Sequence, residues 1–426
     1  MATVPIWAWP PGQDAPLHAA DLTVDRASSR FAYCADYLDR AEARPLDPLE
    51  LRPVRSARGI AIRGADGLPG VIRDAKPAGY GADRLAAQAG TPLSALQLLE
   101  LGVPDGVGAV EACIDIERKL AWRPKGLDEL RPLVEELDAA APSSRALRRL
   151  NEDLATSAGG ERPKTTLVHD GRLWLAKMQD RGDRPALPAR EFVTMELARA
   201  AGLDVAPVEL VTFGSHQVLL AERFDRAGDP YRPQRKLYAS AHTVLGLRLD
   251  AVRGDPHRSY LAFGDRLRVW ARGRDDLPRQ LRELWQRMVF NALVGNIDDH
   301  PLNHGLLHDG SLEKGWHLSP AFDITPAANI VSQPIGEGPA LAMATGKDGS
   351  SRTSAARLID AASHFGVDTD TAADWISATA ILVASRWESM LRQAAMPISE
   401  DAARLDRLIA DARTAFAYSE WFAERT

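Results

Sequence analysis

The sequence predicts an α+β fold in which a strand-bearing region precedes an all-helical one. Three observations carry that expectation. Between Thr166 and Glu222 the apolar pattern reads strand, strand, helix, strand, strand; after about residue 230 the period becomes that of helices; and the opening hundred or so residues are rich in Pro and Gly with short apolar runs. The shifts in pattern divide the chain into residues 1–105, 106–226 and 227–426.

The first region reads as a small mixed unit of strands and short helices, with runs such as Gly59 to Ile62 bounded by the turn signals Arg63-Gly64-Ala65-Asp66-Gly67. Residues 106–165 are charged and helix-prone, with Leu127, Leu130, Leu133, Val134 and Leu137 at roughly helical spacing, ending in the breaker Ser157-Ala158-Gly159-Gly160. Thr166 to Asp170, a turn at Gly171 and Arg172 to Lys177 then predict a hairpin. Pro188 opens a helix through about Ala201, because Pro is tolerated in the first turn and Gly202 follows the end. Pro207 to Phe213 and Gln217 to Glu222 flank a Gly214-Ser215 turn as a second hairpin. Leu277, Leu281, Leu284, Trp285, Met288 and Ala292 recur at three or four residues, an amphipathic helix ending near Gly295. More helix is expected from Ala355 onward, around Trp375, Ile381, Trp387 and Met390.

Composition narrows the function classes. A chain of 426 residues, 45% hydrophobic and 26% charged, is ordinary globular material with room for two or three cores. The 52 basic and 58 acidic residues give a net charge of −6, which excludes a cationic nucleic-acid coat or polybasic membrane binder for the chain as a whole but leaves room for a local basic groove. Cys34 and Cys113 are too few for a disulfide framework or a four-thiolate zinc site, and fit a reducing compartment. With no signal-like start and no run of about 18 apolar residues, the expected location is cytoplasmic, with no membrane partner.

The densest polar stretch is the loop Gly295-Asn296-Ile297-Asp298-Asp299-His300-Pro301-Leu302-Asn303-His304-Gly305. It admits a helix-capping reading, since Asn and Asp cap helices. A metal site on His300 and His304 would need a helix to align the rings, and Pro301 argues against one. The interval from Asp298 to Asn303 also fits the D-x-x-x-x-N of a kinase catalytic loop, where Asp accepts a hydroxyl proton and Asn holds Mg²⁺. That reading requires a second magnesium carboxylate beyond a short strand. Gly305 to His308 and Trp316 to Leu318 can pair around Asp309-Gly310, after which Ala321-Phe322-Asp323 supplies it. Asp298 and Asp299 compete for the base role, and the interval favours Asp298.

Phosphoryl transfer also needs a cation for the nucleotide phosphates and a carboxylate to orient it. Lys177 ends the strand Leu173-Trp174-Leu175-Ala176; Glu191 and Glu196 stand on the next helix about 140° apart, so only one can face it. Ahead of them, Ser157-Ala158-Gly159-Gly160 with Lys164-Thr165 matches neither standard glycine signature. It can still offer backbone N–H groups and an ammonium to phosphates.

Together these segments resemble the HipA-like serine/threonine kinases, the toxin halves of bacterial toxin–antitoxin pairs. The resemblance runs in order over about residues 150–330 and includes Glu222-Arg223-Phe224-Asp225-Arg226 and Asp298-Asp299-His300-Pro301-Leu302-Asn303-His304. Phe31-Ala32-Tyr33 and Gly79-Tyr80-Gly81-Ala82 suggest the family's N-terminal subdomain over 1–105. It implies a protein-kinase-like two-lobe fold, with a β-containing N-lobe to about residue 226, a helical C-lobe from 227, and ATP between them. The implied roles are Asp298 as base, Asn303 and Asp323 on Mg²⁺, and Lys177 on phosphates with Glu191 as its candidate partner. Ser157, Ala158, Gly159, Gly160, Lys164, Glu222, Arg223, Phe224, Asp225, His300 and Asn303 would contact ATP, with Glu222 to Phe224 as the hinge beside adenine.

By the same resemblance Ser157 is autophosphorylated, the substrate is a protein such as an aminoacyl-tRNA synthetase, and a DNA-binding HipB-like antitoxin is the partner; direct DNA binding by this chain is not expected. Without the other motifs, Glu222-Arg223-Phe224-Asp225 reads as a strand end with a surface ion pair. Pro163, lacking an N–H, cannot donate to a phosphate. A kinase of small molecules and a non-catalytic interaction module on the same fold are the rival expectations.

Overall fold

The structure is a computed structural model that describes residues 2–425 except 25–28, 57, 63–65, 133, 135–155, 157–158, 161, 180–185, 309, 311–314, 328–332, 335 and 400. The chain forms two compact units, one of residues 1–181, 222–249 and 306–316, the other of residues 182–221, 250–305 and 317–426.

The first unit contains an antiparallel sheet in the order Ile60–Ile62, Ser29–Tyr33, Leu17–Val24, Ala2–Ala8 and Val110–Ala112. Its pattern is that of a half-buried strand: Val4, Ile6 and Ala8 are buried while Thr3, Pro5 and Trp7 alternate with them toward solvent. Ile6, Leu22 and Phe31 have no exposed surface and make the centre of this core. The pairing is interrupted once: Ile6 faces Ala20 but Trp7 faces His18, so Ala19 is an extra residue, a β-bulge.

The predicted hairpin is present in the same unit. Lys164–His169 pairs antiparallel with Arg172–Met178, and Lys125–Gly126 runs parallel beside Leu167 and Val168. Asp170 and Gly171, at φ +47° and +71°, form the turn; positive φ at both central positions matches the twist of the flanking strands. Of the helical spacing at Leu127 to Leu137, Leu127–Leu130 form a 3-10 turn, and Leu133 and Leu137 lie outside the described residues.

In the second unit the helix Leu187–Ala200 begins with Pro188 in its first turn, as expected. The second hairpin follows, with Val208–Phe213 paired to His216–Glu222 around Gly214 at φ +59°. The helix Leu277–Leu293 buries Leu284, Trp285, Met288, Phe290, Ala292 and Leu293 completely. The tail folds as helices Ala355–Ala362, Thr369–Ala395 and Ala402–Ala423. The two longest are joined by the Trp387 and Phe416 rings, stacked 4.5 Å apart at 11°. Asp368 and Asp401 cap their starts by accepting the Thr371 and Arg404 N–H groups. No helix is long and apolar enough to cross a membrane among the described residues.

Candidate active site

The polar loop starts where the helix Leu277–Leu293 stops. Gly295 takes φ +63°, and Asn296 turns back so that its N–H and Nδ2 donate to the Asn291 carbonyl and Oδ1 at 2.9 and 3.0 Å. Asp298 then stands exposed, whereas Asp299 is only 2% exposed. One oxygen of the buried carboxylate takes two contacts: Tyr260 Oη–H donates to Oδ2, and His304 Nε2 lies 2.7 Å from the same atom. A carboxylate only accepts, so the His304 proton is on Nε2. Burial and then the Asp299 charge push the Tyr260 hydroxyl well above its ordinary range, which keeps it a donor.

Pro301–Asn303 is a 3-10 turn rather than helix, closed by the Asn303 N–H on the His300 carbonyl at 2.8 Å. His300 and His304 are therefore not carried on one helical face, as Pro301 implies. Asn303 is buried in this turn and Leu302 points outward.

Asp323 is held by its neighbours. The strands Gly305–His308 and Trp316–Leu318 adjoin, and the Ser319 N–H closes back on the Gly305 carbonyl at 2.9 Å. Ala321 donates to the Asp204 carbonyl at 2.7 Å and accepts from the Ala206 N–H at 2.9 Å, while Thr194 Oγ1 donates to the Ile324 carbonyl. Between these anchors Asp323 takes φ +60°, a left-handed conformation that Asp tolerates better than most residues but that is uncommon outside Gly. Strain of this kind persists where surrounding contacts impose it, and it clusters at functional positions.

Two arginines that the sequence did not single out stand close to Asp298. Arg253 Nη2 donates to the Ile297 carbonyl at 3.1 Å and to the Ala340 carbonyl at 2.8 Å. Burial, then the like charge of Arg253, lowers Arg258, against the pull of Asp255 and Asp298. They belong to the loop Ala251–Arg258, forty residues upstream, where no local pattern distinguishes them from surface arginines.

In the first unit, the hairpin register puts Lys164 directly opposite Lys177, so both side chains leave the same face. Lys164 Nζ donates to the Gly159 carbonyl. Gly160 takes φ +112°, a conformation that L side chains rarely adopt, and an added Cβ, 2.1 Å from Lys164 Nζ, would displace that ammonium. The Gly160 carbonyl accepts the Tyr80 N–H at 2.9 Å, which ties Gly79-Tyr80-Gly81 to the glycine loop. Ser157 and Ala158 lie outside the described residues.

The family described as HipA-like C-terminal domain matches residues 156–387, more than half of the chain. The chain belongs to the HipA-like family. It is 30% identical over 216 residues to Y4mE of Sinorhizobium fredii, a protein whose name assigns it provisionally to the kinases, covering 47% of this chain and 49% of that one. To the serine/threonine-protein kinase toxin HipA of Shewanella oneidensis it is 28% identical over 152 residues, covering 32% and 34%. It thus spans about half and about a third of these relatives' lengths. The fold matches that of a solved S. oneidensis complex of HipA, HipB and operator DNA, with a TM-score of 0.66 at 18% identity, covering 98% of this chain and 96% of the other. The α+β, kinase-like fold is therefore that of HipA.

In this HipA-like chain Arg223 and Asp225, expected at the ATP site, do not form the surface ion pair that their segment suggests in isolation. They are the centre of a buried hub. Arg223 Nε and Nη2 grip the Asp225 carboxylate at 2.8 and 2.9 Å, Arg226 Nη1 adds a contact at 2.6 Å, and the Gly108 N–H one at 2.8 Å. Arg223 also donates to the Asp105 and Gly106 carbonyls. Burial pushes the Asp225 carboxyl up, but the Arg223 and Arg226 charges outweigh it and hold it far below the ordinary carboxylate range. The partners are over 110 residues away in sequence, out of reach of a local reading. On either side of Arg223, Glu222 pairs with Arg172 at 2.9 Å, and the Phe224 ring lies 6.2 Å from that of Tyr238. Of the two helix glutamates, Glu191 is buried, while Glu196 is half-exposed and paired to Arg199 at 3.2 Å.

Proposed function

We propose that this chain is a serine/threonine kinase of the HipA type, using ATP and Mg²⁺. The observation that carries the reading is the division of labour in the 298–303 loop: Asp299 is consumed by Tyr260 and His304, which leaves the exposed Asp298 as the carboxylate free to meet a substrate, five residues before a buried Asn303. Asp298 accepts the proton as the Ser or Thr oxygen attacks the γ-phosphorus, the bond to the β-phosphate oxygen breaks, and ADP leaves.

The donors fit magnesium, because Asn303 and Asp323 offer hard oxygens and the strained Asp323 backbone is anchored on both sides. The ion, when bound, neutralises triphosphate charge. Lys177 and Lys164 are assigned to the phosphates. Like charges opposite one another on a hairpin repel, and a bound polyanion turns that repulsion into a binding site. Glu191 is the proposed partner of Lys177, and the backbone of Glu222 to Phe224 the adenine contact, because the Arg223 and Asp225 side chains are committed to the buried hub. His300, beside the 3-10 turn, is assigned to the nucleotide.

The substrate is proposed to be a protein, with an aminoacyl-tRNA synthetase as the first candidate. A DNA-binding HipB-like antitoxin is proposed as partner, on the likeness to the HipA–HipB–operator complex. Autophosphorylation at Ser157 is proposed to switch activity off: it would add about −1.5 to −2 charges to the loop proposed to receive phosphates. Incubating the purified chain with labelled Mg-ATP and a cell lysate, then mapping label by mass spectrometry, tests the reading. Label on a protein Ser or Thr and on Ser157, absent with Asp298→Asn, is expected; no transfer to any hydroxyl would leave an interaction module instead.

A further inference from the structure

We propose that His18, Asp21 and Cys34 form a zinc site on the N-terminal sheet, remote in function from phosphoryl transfer. One donor atom from each, an imidazole nitrogen, a carboxylate oxygen and a thiol sulfur, lies within 4.8 Å of the others, and His18 Nε2 is 2.9 Å from Asp21 Oδ1. Donors of a tetrahedral zinc ion, at about 2.0–2.3 Å from the metal, stand roughly 3.3–3.7 Å apart. The three groups thus need movements on the order of 1 Å, within the reach of rotamer adjustments at part-exposed side chains.

The backbone brings these groups together by a specific device. In a regular strand residues 18 and 21 point to opposite faces. The bulge at Ala19 removes that alternation and puts His18 and Asp21 on one side. The carbonyl of the same bulged residue accepts the Cys34 N–H at 2.9 Å, which fixes the thiol's backbone beside them. The Trp7 ring, 5.3 Å from the His18 ring, limits the imidazole's freedom. Burial first, then the Asp21 and Asp36 charges, push the Cys34 thiol up.

A nitrogen, an oxygen and a sulfur donor suit a borderline-soft ion such as Zn²⁺ and not Mg²⁺, which takes oxygen ligands. Water completes the fourth position. On binding, Cys34 releases its thiol proton to solvent and the coordinating nitrogen of His18 gives up any proton it carries. The ion would staple the strand Leu17–Val24 to the segment after Ser29–Tyr33.

The test uses the full chain and Co²⁺ as a spectroscopic stand-in. One equivalent of Co²⁺ should give a near-ultraviolet sulfur-to-metal band that Zn²⁺ abolishes by displacement. Cys34→Ser should remove the band, and Cys34→Ser and His18→Gln should each weaken zinc binding at least about tenfold, the loss that even an outer-shell change produces. Cys113→Ser, at the buried second cysteine, should leave both unchanged. Equal zinc uptake by the wild type and Cys34→Ser, or a band that survives in Cys34→Ser, overturns the proposal. Equal metal-free thermal stability of Cys34→Ser and wild type ensures that lost binding is not lost folding; if that variant is unstable, His18→Gln decides the zinc affinity alone.

Discussion

Asp298 and Asp299 are adjacent in sequence and opposite in environment: the first carboxylate meets solvent, and the second is buried against Tyr260 and His304. Their substitutions should therefore separate chemistry from stability. Asp298→Asn should reduce phosphoryl transfer by orders of magnitude with an unchanged denaturation midpoint and retained ATP binding. Asp299→Ala should leave two buried donors without an acceptor, a loss of about 1–3 kcal/mol for each, read by urea unfolding. If Asp299→Asn abolished transfer at wild-type stability while Asp298→Asn did not, the base would have to be reassigned.

Asp323 offers a second separation. Because its φ is +60°, Asp323→Gly should be more stable than Asp323→Ala by about 1 kcal/mol, both having lost the same carboxylate. Both should lack magnesium-dependent transfer. An active Asp323→Gly enzyme would remove the carboxylate from the mechanism.

The opposed Lys164 and Lys177 predict a ligand-dependent stability. Mg-ATP at about a hundred times its dissociation constant should stabilise the protein by about 2.7 kcal/mol, seen as a rise in melting temperature. Lys177→Met should lose most of that rise. A full nucleotide shift in Lys177→Met would exclude this lysine from the phosphates.

Asp74 predicts a pH dependence in the first unit. Burial raises its carboxyl to about 6, even though Ser240 donates both its N–H and its Oγ–H to it at 2.7 Å. The folded pKa lies above the unfolded one, so the folded state holds the proton more tightly. Its contribution is fully present below about pH 4 and lost as pH rises through about 6, a change of about 3 kcal/mol. Asp74→Asn should flatten stability between these limits in chemical denaturation, and an unaltered profile would show that the carboxyl titrates normally.

Local order explains what was legible in the sequence. The two hairpins and the helices Leu187–Ala200 and Leu277–Leu293 follow from apolar period and from Pro and Gly punctuation, which act over a few residues. The spacing from Asp298 to Asn303 was legible for the same reason. The burial of Asp299 beside an exposed Asp298 could not be read from the sequence, because Tyr260, which claims Asp299, comes from a helix nearly forty residues earlier. The Arg223–Asp225 hub, the Arg253 clamp on the 297 carbonyl and the bulge at Ala19 all depend on partners brought in by tertiary folding or on pairing register. No periodicity in one chain encodes them.

The ionic hub also bears on modularity. The stretch matched by the HipA-like C-terminal domain starts at residue 156, yet Arg223, Arg226 and Arg235 lean on the carbonyls of Pro104, Asp105, Gly106 and Gly108 and on the Glu111 carboxylate. Excising that stretch would cut these acceptors away and leave Arg223 and Arg226 with the Asp225 carboxylate, the Thr166 hydroxyl and the Asp225 carbonyl, and Arg235 without its Glu111 and Pro104 contacts. The matched segment is thus short of a folding unit: a copy moved elsewhere would have to carry residues 104–111 along or find a replacement set of acceptors in its new surroundings.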